Sequence, residues 1–170
     1  MTFYTTRPAT PEDALAIARI YNEGIADRIA TFETEPRTSS QILEWFRPGT
    51  LIVVAEADRV VVAFAASFLY SMRPCYAGIG EFSVYVVRDH RLQGVGSAVL
   101  AALIEAARKA RLHKLTSRVF PENVASRALL KRLGFSEIGI HRRHGKLDGI
   151  WRDCVIVEIL IEERPSPTAE

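Results

Sequence analysis

Length, composition and charge exclude several classes of protein. The chain has 170 residues, of which 48% are hydrophobic, so it can bury one sizeable core and is too short for two ordinary domains. Its 22 basic and 20 acidic residues are interspersed, no apolar stretch approaches a membrane helix, and the N-terminus lacks a signal peptide's apolar segment, so we expect a cytoplasmic protein with neither nucleic acid nor a membrane as its partner.

The first half of the chain predicts a strand, two helices and a hairpin. Thr10-Pro11-Glu12-Asp13 combines a capping hydroxyl, a proline at the first helical position and acids in the first turn, a pattern typical of a helix start. This helix is expected to end near Gly24. Its predicted apolar face consists of Leu15, Ala18, Ile20 and Tyr21. The other predicted elements are a strand at 4–7, an irregular stretch at 29–37, a short helix at 40–46, and hairpin strands at 51–55 and 60–69.

The second half predicts strands alternating with two longer helices. The helix at 95–109 is expected to be well buried, because its apolar residues recur at helical spacing. The remaining elements are a strand at 79–87, a strand at 115–120, a helix at 123–133 closed by Gly134, and two strands from Ile138 onward, joined by a basic loop at His141–Gly149. Residues 164–170 are expected to be a disordered tail after a single domain at 1–163. This order predicts a mixed α/β sheet with helices on its faces.

A glycine-rich turn, Arg91–Ser97, follows a predicted strand and opens a predicted helix; we call it the anion loop. Gly94 and Gly96 let the backbone approach a bound group, while free N–H groups and the positive helix end attract phosphate oxygens. A P-loop would need Gly-Lys-Ser/Thr, and a Rossmann turn would need a third glycine two residues beyond Ser97. The turn therefore predicts a pyrophosphate site, with tight helix packing as the alternative interpretation.

The anion loop, Asn123 and the Arg-Leu-Gly-Phe that ends at Phe135 together resemble the GNAT acetyltransferase family over about Thr5–Ile161. The resemblance implies the GNAT fold, a central mixed twisted sheet with helices on both faces, and acetyl-CoA as cosubstrate. It also implies that the strand before the loop splays from its neighbour, so that pantetheine pairs with exposed backbone groups. The cofactor-binding residues that it implies are Val84, Val86, Arg91, Leu92, Gln93, Gly94, Val95, Gly96, Ser97, Asn123 and Ser126.

Within that family, the chain is similar to the phosphinothricin and methionine sulfoximine acetyltransferases. The similar segments are Thr31–Pro36, Arg73 with Tyr76, and Glu81–Val86. The similarity implies a homodimer that acetylates the amino group of a small amino-acid analogue of the phosphinothricin, methionine sulfoximine or arsinothricin type. It also implies that Glu81 is the general base, acting directly or through a water.

The chemistry of acetyl transfer suits the residues around Glu81. The reaction needs a neutral amine and a donor for the negative charge on the thioester oxygen. Glu81 stands among apolar strand residues, so we expect a partly desolvated carboxylate with a raised pKa. Strand alternation places Tyr85 on the same face, which makes Glu81 and Tyr85 the predicted catalytic residues. A backbone N–H between Val84 and Val87 is expected to meet the oxyanion.

Four side chains are predicted to bind the acceptor. Arg73 has a planar fork that suits a carboxylate, phosphinate or arsinate, and Tyr76 offers a second donor. Phe32 is expected to wall the acceptor pocket, and Tyr85 to face it. No metal is predicted, because Cys75 and Cys154 lack a zinc spacing and the histidines at 141 and 144 lie among basic residues.

One position departs from the family pattern and leaves alternatives open. Where many GNAT enzymes have a tyrosine and the phosphinothricin enzymes a histidine, this chain has Leu130, which cannot protonate the leaving thiolate and would make the pocket more apolar. The acceptor could instead be a polyamine, an aminoglycoside or a protein N-terminus, or the protein could be a CoA-binding sensor without activity. Arg73 favours an anionic acceptor.

Overall fold

The computed structural model describes residues 3–161 and contains a seven-stranded sheet with helices on both faces. The strand order is β1-β2-β3-β4-β5-β7-β6, in which β4 and β5 pair in parallel and the other pairs are antiparallel. The elements are β1 Thr5–Pro8, α1 Ala14–Asp27, α2 Ser39–Leu43, β2 Leu51–Ala57, β3 Val60–Leu69, β4 Ile79–Val86, α3 Val95–Lys109, β5 Lys114–Val119, α4 Val124–Arg132, β6 Ser136–Leu147 and β7 Ile150–Leu160. The predicted order of elements and the mixed α/β class are confirmed, and the tail predicted at 164–170 lies outside the described residues.

The sheet is covered on both faces at β3 and β4. Helix α3 packs on one face, with Val99, Leu100 and Leu103 fully buried, as its helical spacing predicted. Helix α1 packs on the other face, where Tyr21 contacts the rings of Phe64 and Tyr85. Alternate side chains of β4 therefore pack against two different helices, α1 on one face and α3 on the other. Among residues 3–161, no helix is long and apolar enough to cross a membrane.

Helix α1 differs from its prediction in length and at one position of its apolar face. It continues to Asp27 instead of ending at Gly24, and the Tyr85 ring lies against Gly24, where an added Cβ would be 2.6 Å from Cδ1. Leu15, predicted on the buried face, is 72% exposed, whereas Ile17 is fully buried. The other predicted residues are confirmed, because Ala18 and Ile20 are buried and Tyr21 packs against the core. Leu15 lies about one residue's rotation outside the stripe of buried positions 14, 17, 18 and 25. Helix α2 is also shorter than predicted, since it ends at Leu43.

The predicted basic loop at His141–Gly149 is wrong. Residues up to Leu147 belong to β6, and the turn to β7 is only Asp148–Gly149. Pairing with β7 shifts between His141 and Gly145, which is how a bulge accommodates extra residues within a strand. Strand β6 is an edge strand and nearly all of its side chains are exposed. Its charged residues therefore stay in contact with water and reduce the stability of the fold little.

Candidate active site

Strands β4 and β5 separate after a short paired stretch. Their pairing runs from Ile79 and Lys114 to Glu81 and Thr116, although β4 continues to Val86 and β5 to Val119. Beyond Glu81 the two strands leave a gap between them, which opens toward the N-terminus of α3. The splay that the family resemblance implies is therefore present, and Glu81 lies at its apex.

The backbone groups of Val84 and Val86 face this gap. Strands β3 and β4 pair without a register shift from Ala63↔Val86 to Leu69↔Gly80, and the N–H of Val87 donates to the carbonyl of Val62 at 2.9 Å. Because antiparallel bonding alternates along a strand, Tyr85 is also bonded to β3, while Val84 and Val86 direct their amides away from it. Of the N–H groups between Val84 and Val87 that were predicted to meet an oxyanion, only those of Val84 and Val86 are not used in bonding to β3.

The anion loop presents several free N–H groups at the start of α3. Leu92 (φ 61) and Gly94 (φ 90) are both left-handed, and Gly94 begins α3 without a side-chain capping bond. Left-handed residues alternating with ordinary ones gather successive N–H groups into one concavity, to which the uncapped first turn adds its own. At Gly96 a Cβ would lie 3.3 Å from Cδ2 of Leu129, so the absence of a side chain keeps α3 close to α4. This geometry suits a diphosphate.

A cleft of about 460 Å³ connects the gap to the anion loop. Of the eleven predicted cofactor-binding residues, nine line it: Val84, Val86, Arg91, Leu92, Gly94, Gly96, Ser97, Asn123 and Ser126. The other two side chains point elsewhere. Gln93 donates to the carbonyl of Asp89 at 2.6 Å, and Val95 is buried in the core, so each can contribute only backbone groups.

An acid on α1 neutralises the arginine that begins the anion loop. Arg91 pairs with Asp27 at 2.7 Å and donates to the carbonyl of Val86 at 3.0 Å. Burial acts to raise the pKa of Asp27, but hydrogen bonds from Arg88 and Arg91 outweigh it and hold that pKa below its usual value. Arg91 therefore ties the loop to α1 and β4. Arg132 also lines the cleft, and it donates to Oγ of Ser97 at 3.3 Å. Unlike Arg91, it has no carboxylate partner within the described part of the chain, so its positive charge is not neutralised.

Helix α4 forms the far wall of the cleft. The side chain of Asn123 caps it by accepting from the N–H of Ser126 at 3.1 Å, and also donates to the carbonyl of Ile29 at 3.3 Å. Leu130 is 3% exposed and lies in the main core, whereas its neighbour Leu129 lines the cleft. The expectation that position 130 makes the pocket more apolar is therefore wrong, because Leu130 is not part of the wall.

Tyr85 lines the cleft from the side of α1. Its ring packs on Phe64 and Tyr21, with centroids 5.4 and 4.9 Å away. Burial raises the pKa of the Tyr85 phenol far above its ordinary value, and hydrogen bonding to the Thr31 side chain offsets this only in part. The phenol is therefore neutral at physiological pH and can donate a hydrogen bond, but it cannot serve as a base.

Glu81 is accompanied by a cation that the sequence analysis missed. Its carboxylate forms an ion pair with Arg118 on β5, and Nη1 of Arg118 lies 3.4 Å from Nε2 of His144. The side chains of Glu81 and Arg118 are 36% and 43% exposed, so Glu81 is partly desolvated as predicted, but it is paired with a cation and does not stand alone among apolar residues. Glu81 and Tyr85 share a face, but four residues of strand span about 14 Å. The predicted base and phenol are thus not in contact.

The other three predicted acceptor-binding residues lie in two places outside the cleft. Phe32 packs edge-on against Phe120 with centroids 4.9 Å apart, in a small cluster with Cys154. Burial raises the pKa of the Cys154 thiol. The positive charge of Arg118 acts in the opposite direction, which means that this cluster lies close to the Glu81–Arg118 pair. Arg73 is exposed and its guanidinium lies 5.4 Å from the Tyr76 ring centroid. Neither Arg73 nor Tyr76 lines the cleft.

Comparisons with known proteins agree with this geometry. The Acetyltransferase (GNAT) family matches residues 17–135. This chain belongs to the GNAT acetyltransferase family. The L-methionine sulfoximine/L-methionine sulfone acetyltransferase of Pseudomonas aeruginosa is 32% identical to it over 161 residues, which are 92% of this chain and 94% of the relative.

Two solved structures place the acetyltransferase among enzymes that differ in their acceptors. A GNAT superfamily phosphinothricin acetyltransferase from Sinorhizobium meliloti, in complex with AcCoA, is 25% identical with a TM-score of 0.87, covering 97% of this chain and 94% of that one. A ribosomal-protein-alanine N-acetyltransferase from Brucella melitensis is 30% identical with a TM-score of 0.87, covering 92% and 99%. The chain is therefore an acetyl-CoA-dependent N-acetyltransferase, which favours an enzyme over a sensor without activity.

The residues of the acetyltransferase fit acetyl-CoA. The N–H groups of the anion loop would hold the pyrophosphate, with Arg132 beside them, and the carbonyl of Val84 and the N–H of Val86 would pair with the pantetheine. Arg132 could have been found from the sequence, because Ser126, Leu129 and Arg132 recur at three-residue spacing on α4. No comparable pattern in the sequence indicated Arg118. Among residues 3–161, no group of three or more His, Cys, Asp or Glu side chains could hold a metal ion.

Proposed function

We propose that the acetyltransferase acts on the amino group of small anionic amino-acid analogues of the phosphinothricin, methionine sulfoximine or arsinothricin type. The observation that carries this proposal is the Glu81–Arg118 pair, which presents a base and a cation side by side at the apex of the gap. The names of the relatives from Pseudomonas aeruginosa and Sinorhizobium meliloti support the same class of acceptor.

In the proposed reaction, Glu81 removes a proton from the acceptor amine. Amino groups are mostly protonated at pH 7 and must lose a proton to attack. The Glu81 carboxylate lies beside the guanidinium of Arg118 and is partly accessible to solvent, so an incoming amine can reach it. Three residues of strand separate Glu81 from Val84, about 10 Å, which leaves room for the amine and a relaying water.

The backbone N–H of Val84 is our proposed oxyanion donor, and the phenol of Tyr85 adds a neutral donor on the same strand. A fixed amide directed into the gap can stabilise negative charge on the carbonyl oxygen without reorganising. Acetyl-CoA supplies the acetyl group as a thioester, and a thiol with a pKa of about 8.5 is a fair leaving group without a proton donor at position 130. Leu130 is thus compatible with turnover.

The acceptor class can be tested by following free-thiol release from acetyl-CoA. The panel would contain phosphinothricin, methionine sulfoximine, ordinary amino acids, spermidine, an aminoglycoside and peptides with a free N-terminus. We expect turnover with the small anionic amines, because the guanidinium of Arg73, which has no ion-pair partner among residues 3–161, repels polycations. A protein N-terminus is the second candidate, favoured by the likeness to the Brucella melitensis enzyme. Good turnover of peptides alone would replace our proposal with that one.

Arg73 is proposed to bind an acidic group of the acceptor. Its guanidinium is exposed, held over Tyr76 and without an ion-pair partner among residues 3–161. Arg73→Ala is expected to raise the apparent KM for the acceptor about tenfold or more, with little change in kcat, since a charge-assisted hydrogen bond is lost. Arg47→Ala, which removes another exposed arginine, is the control. An unchanged KM in Arg73→Ala would remove Arg73 from the acceptor site.

We also propose that two chains form a homodimer. Strand β6 is an exposed edge, and Ile138, Ile140 and Trp151 on the β6–β7 hairpin are 53%, 58% and 52% exposed. Apolar residues on an unpaired edge favour association with another chain. Sedimentation equilibrium is expected to give the mass of two chains, and the mass of one chain at micromolar concentration would contradict the proposal. The cytoplasmic location and the single domain at 1–163 stay predictions.

A further inference from the structure

The Glu81–Arg118 pair combines two opposite charges at a solvent-accessible position of the site. Glu81 is the last residue of β4 that pairs with β5, and Arg118 lies two residues beyond its partner Thr116 on the same face of β5. Both side chains are more than a third exposed. An ion pair this accessible contributes little to stability, so separating it to admit a ligand costs little.

From this arrangement we infer that Arg118 binds the α-carboxylate of the acceptor while Glu81 receives its amine. This inference rests on the proposed function, in which the acceptor is an α-amino acid. In such a molecule the amino nitrogen and the carboxylate carbon are about 2.5 Å apart, because both are bonded to the same carbon. An amine that meets Glu81 therefore brings its carboxylate to the immediate neighbourhood of Glu81, and Arg118 is the cation there.

The surroundings of Arg118 keep its fork in place when Glu81 is engaged by the amine. Nη1 of Arg118 lies 3.4 Å from Nε2 of His144, whereas it is Nη2 that donates to Glu81. Planar guanidinium N–H groups match a carboxylate in a paired geometry that a lysine cannot reproduce. Arg73 lies on a different segment, between β3 and β4, and has no partner of its own among residues 3–161. Two separate guanidinium groups thus suit an acceptor with two acids, one on the α-carbon and one on the side chain.

The test compares an amino-acid acceptor with its own carboxamide, which keeps the amine and removes the carboxylate charge. With phosphinothricin as the acid, Arg118→Gln is expected to raise the apparent KM about 10- to 100-fold and to leave the KM for the carboxamide nearly unchanged. Arg118→Lys is expected to fall between the wild type and Arg118→Gln. If Arg118→Gln changes the kinetics of acid and carboxamide equally, Arg118 serves only to position Glu81 and the inference is wrong.

A matched control and the wild type separate this inference from the function on which it rests. Lys114→Gln removes another cation from the same face of β5, one paired with Glu158 at 2.7 Å, and is expected to leave both KM values unchanged. Thermal melting of each variant checks that it is folded. A wild-type enzyme that acetylates no small amino acid would overturn the proposed function as well, whereas equal effects in Arg118→Gln would overturn the role of Arg118 alone.

Discussion

Replacing Glu81 by glutamine is expected to lower kcat/KM for the acceptor by about 10²- to 10⁴-fold, the range found for removal of a general base. Glutamine has the size of glutamate but cannot accept the proton of the acceptor amine. The anion loop is remote from Glu81 along β4, so the KM for acetyl-CoA should change little. Steady-state kinetics with each substrate varied in turn distinguish these effects.

Two variants control for the charge that Glu81→Gln removes. Glu158→Gln takes away another ion-paired glutamate of the same sheet, the partner of Lys114, and should retain wild-type activity. The double variant Glu81→Gln with Arg118→Gln removes the unpaired guanidinium as well, and should be no more active than Glu81→Gln. A Glu81→Gln enzyme with wild-type kcat/KM would show that another group or the solvent takes the proton.

Gly94→Ala is expected to weaken the binding of CoA by about 10- to 100-fold, since loss of one or more charge-assisted hydrogen bonds to a diphosphate has that effect. Gly94 has φ 90, where an L residue is strained by about 1–2 kcal/mol. No atom lies within 4 Å of the added Cβ, so the strain and not a clash would move the amides. Calorimetric titration with CoA gives the dissociation constant directly.

Gly49 offers a control with the same backbone strain outside the cleft. It has φ 86 and no atom within 4 Å of an added Cβ, and it lies in the turn before β2, away from the cleft. Gly49→Ala and Gly94→Ala should lower the free energy of unfolding by similar amounts, while only Gly94→Ala should weaken CoA binding. Equal affinities for CoA in the two variants would mean that the anion loop does not hold the diphosphate.

Local patterns in the sequence were sufficient for the elements that depend on nearby residues. The apolar spacing of α3 predicted its buried face, with Val99 and Leu103 in the core. The glycines at 94 and 96 predicted the turn that opens this helix. In both cases the structure depends on residues that are close together in the sequence. The spacing of apolar residues and the positions of the glycines are therefore enough to predict it.

The predictions that failed required knowledge of neighbouring elements. Leu15 and Ile17 are both apolar, and only the packing of α1 on the sheet selects Ile17 for the core. The basic residues after His141 suggested a loop, yet β7 provides a partner to which this edge strand can pair. In each case the residue type allowed two outcomes, and a contact with a distant segment decided between them.

The sequence by itself determined the order of helices and strands and the glycine turn that opens α3, because both depend on periodicity or on backbone conformation within a short segment. The roles of that turn in phosphate binding and of Glu81 as a base stay predictions. Only the tertiary structure decided that β4 leaves β5 after Glu81, that the amides of Val84 and Val86 face the gap, and that Arg118 meets Glu81. The physical reason is that strand register depends on how α3 packs as it carries the chain from β4 to β5. A one-residue slip of β5 would turn Arg118 to the opposite face.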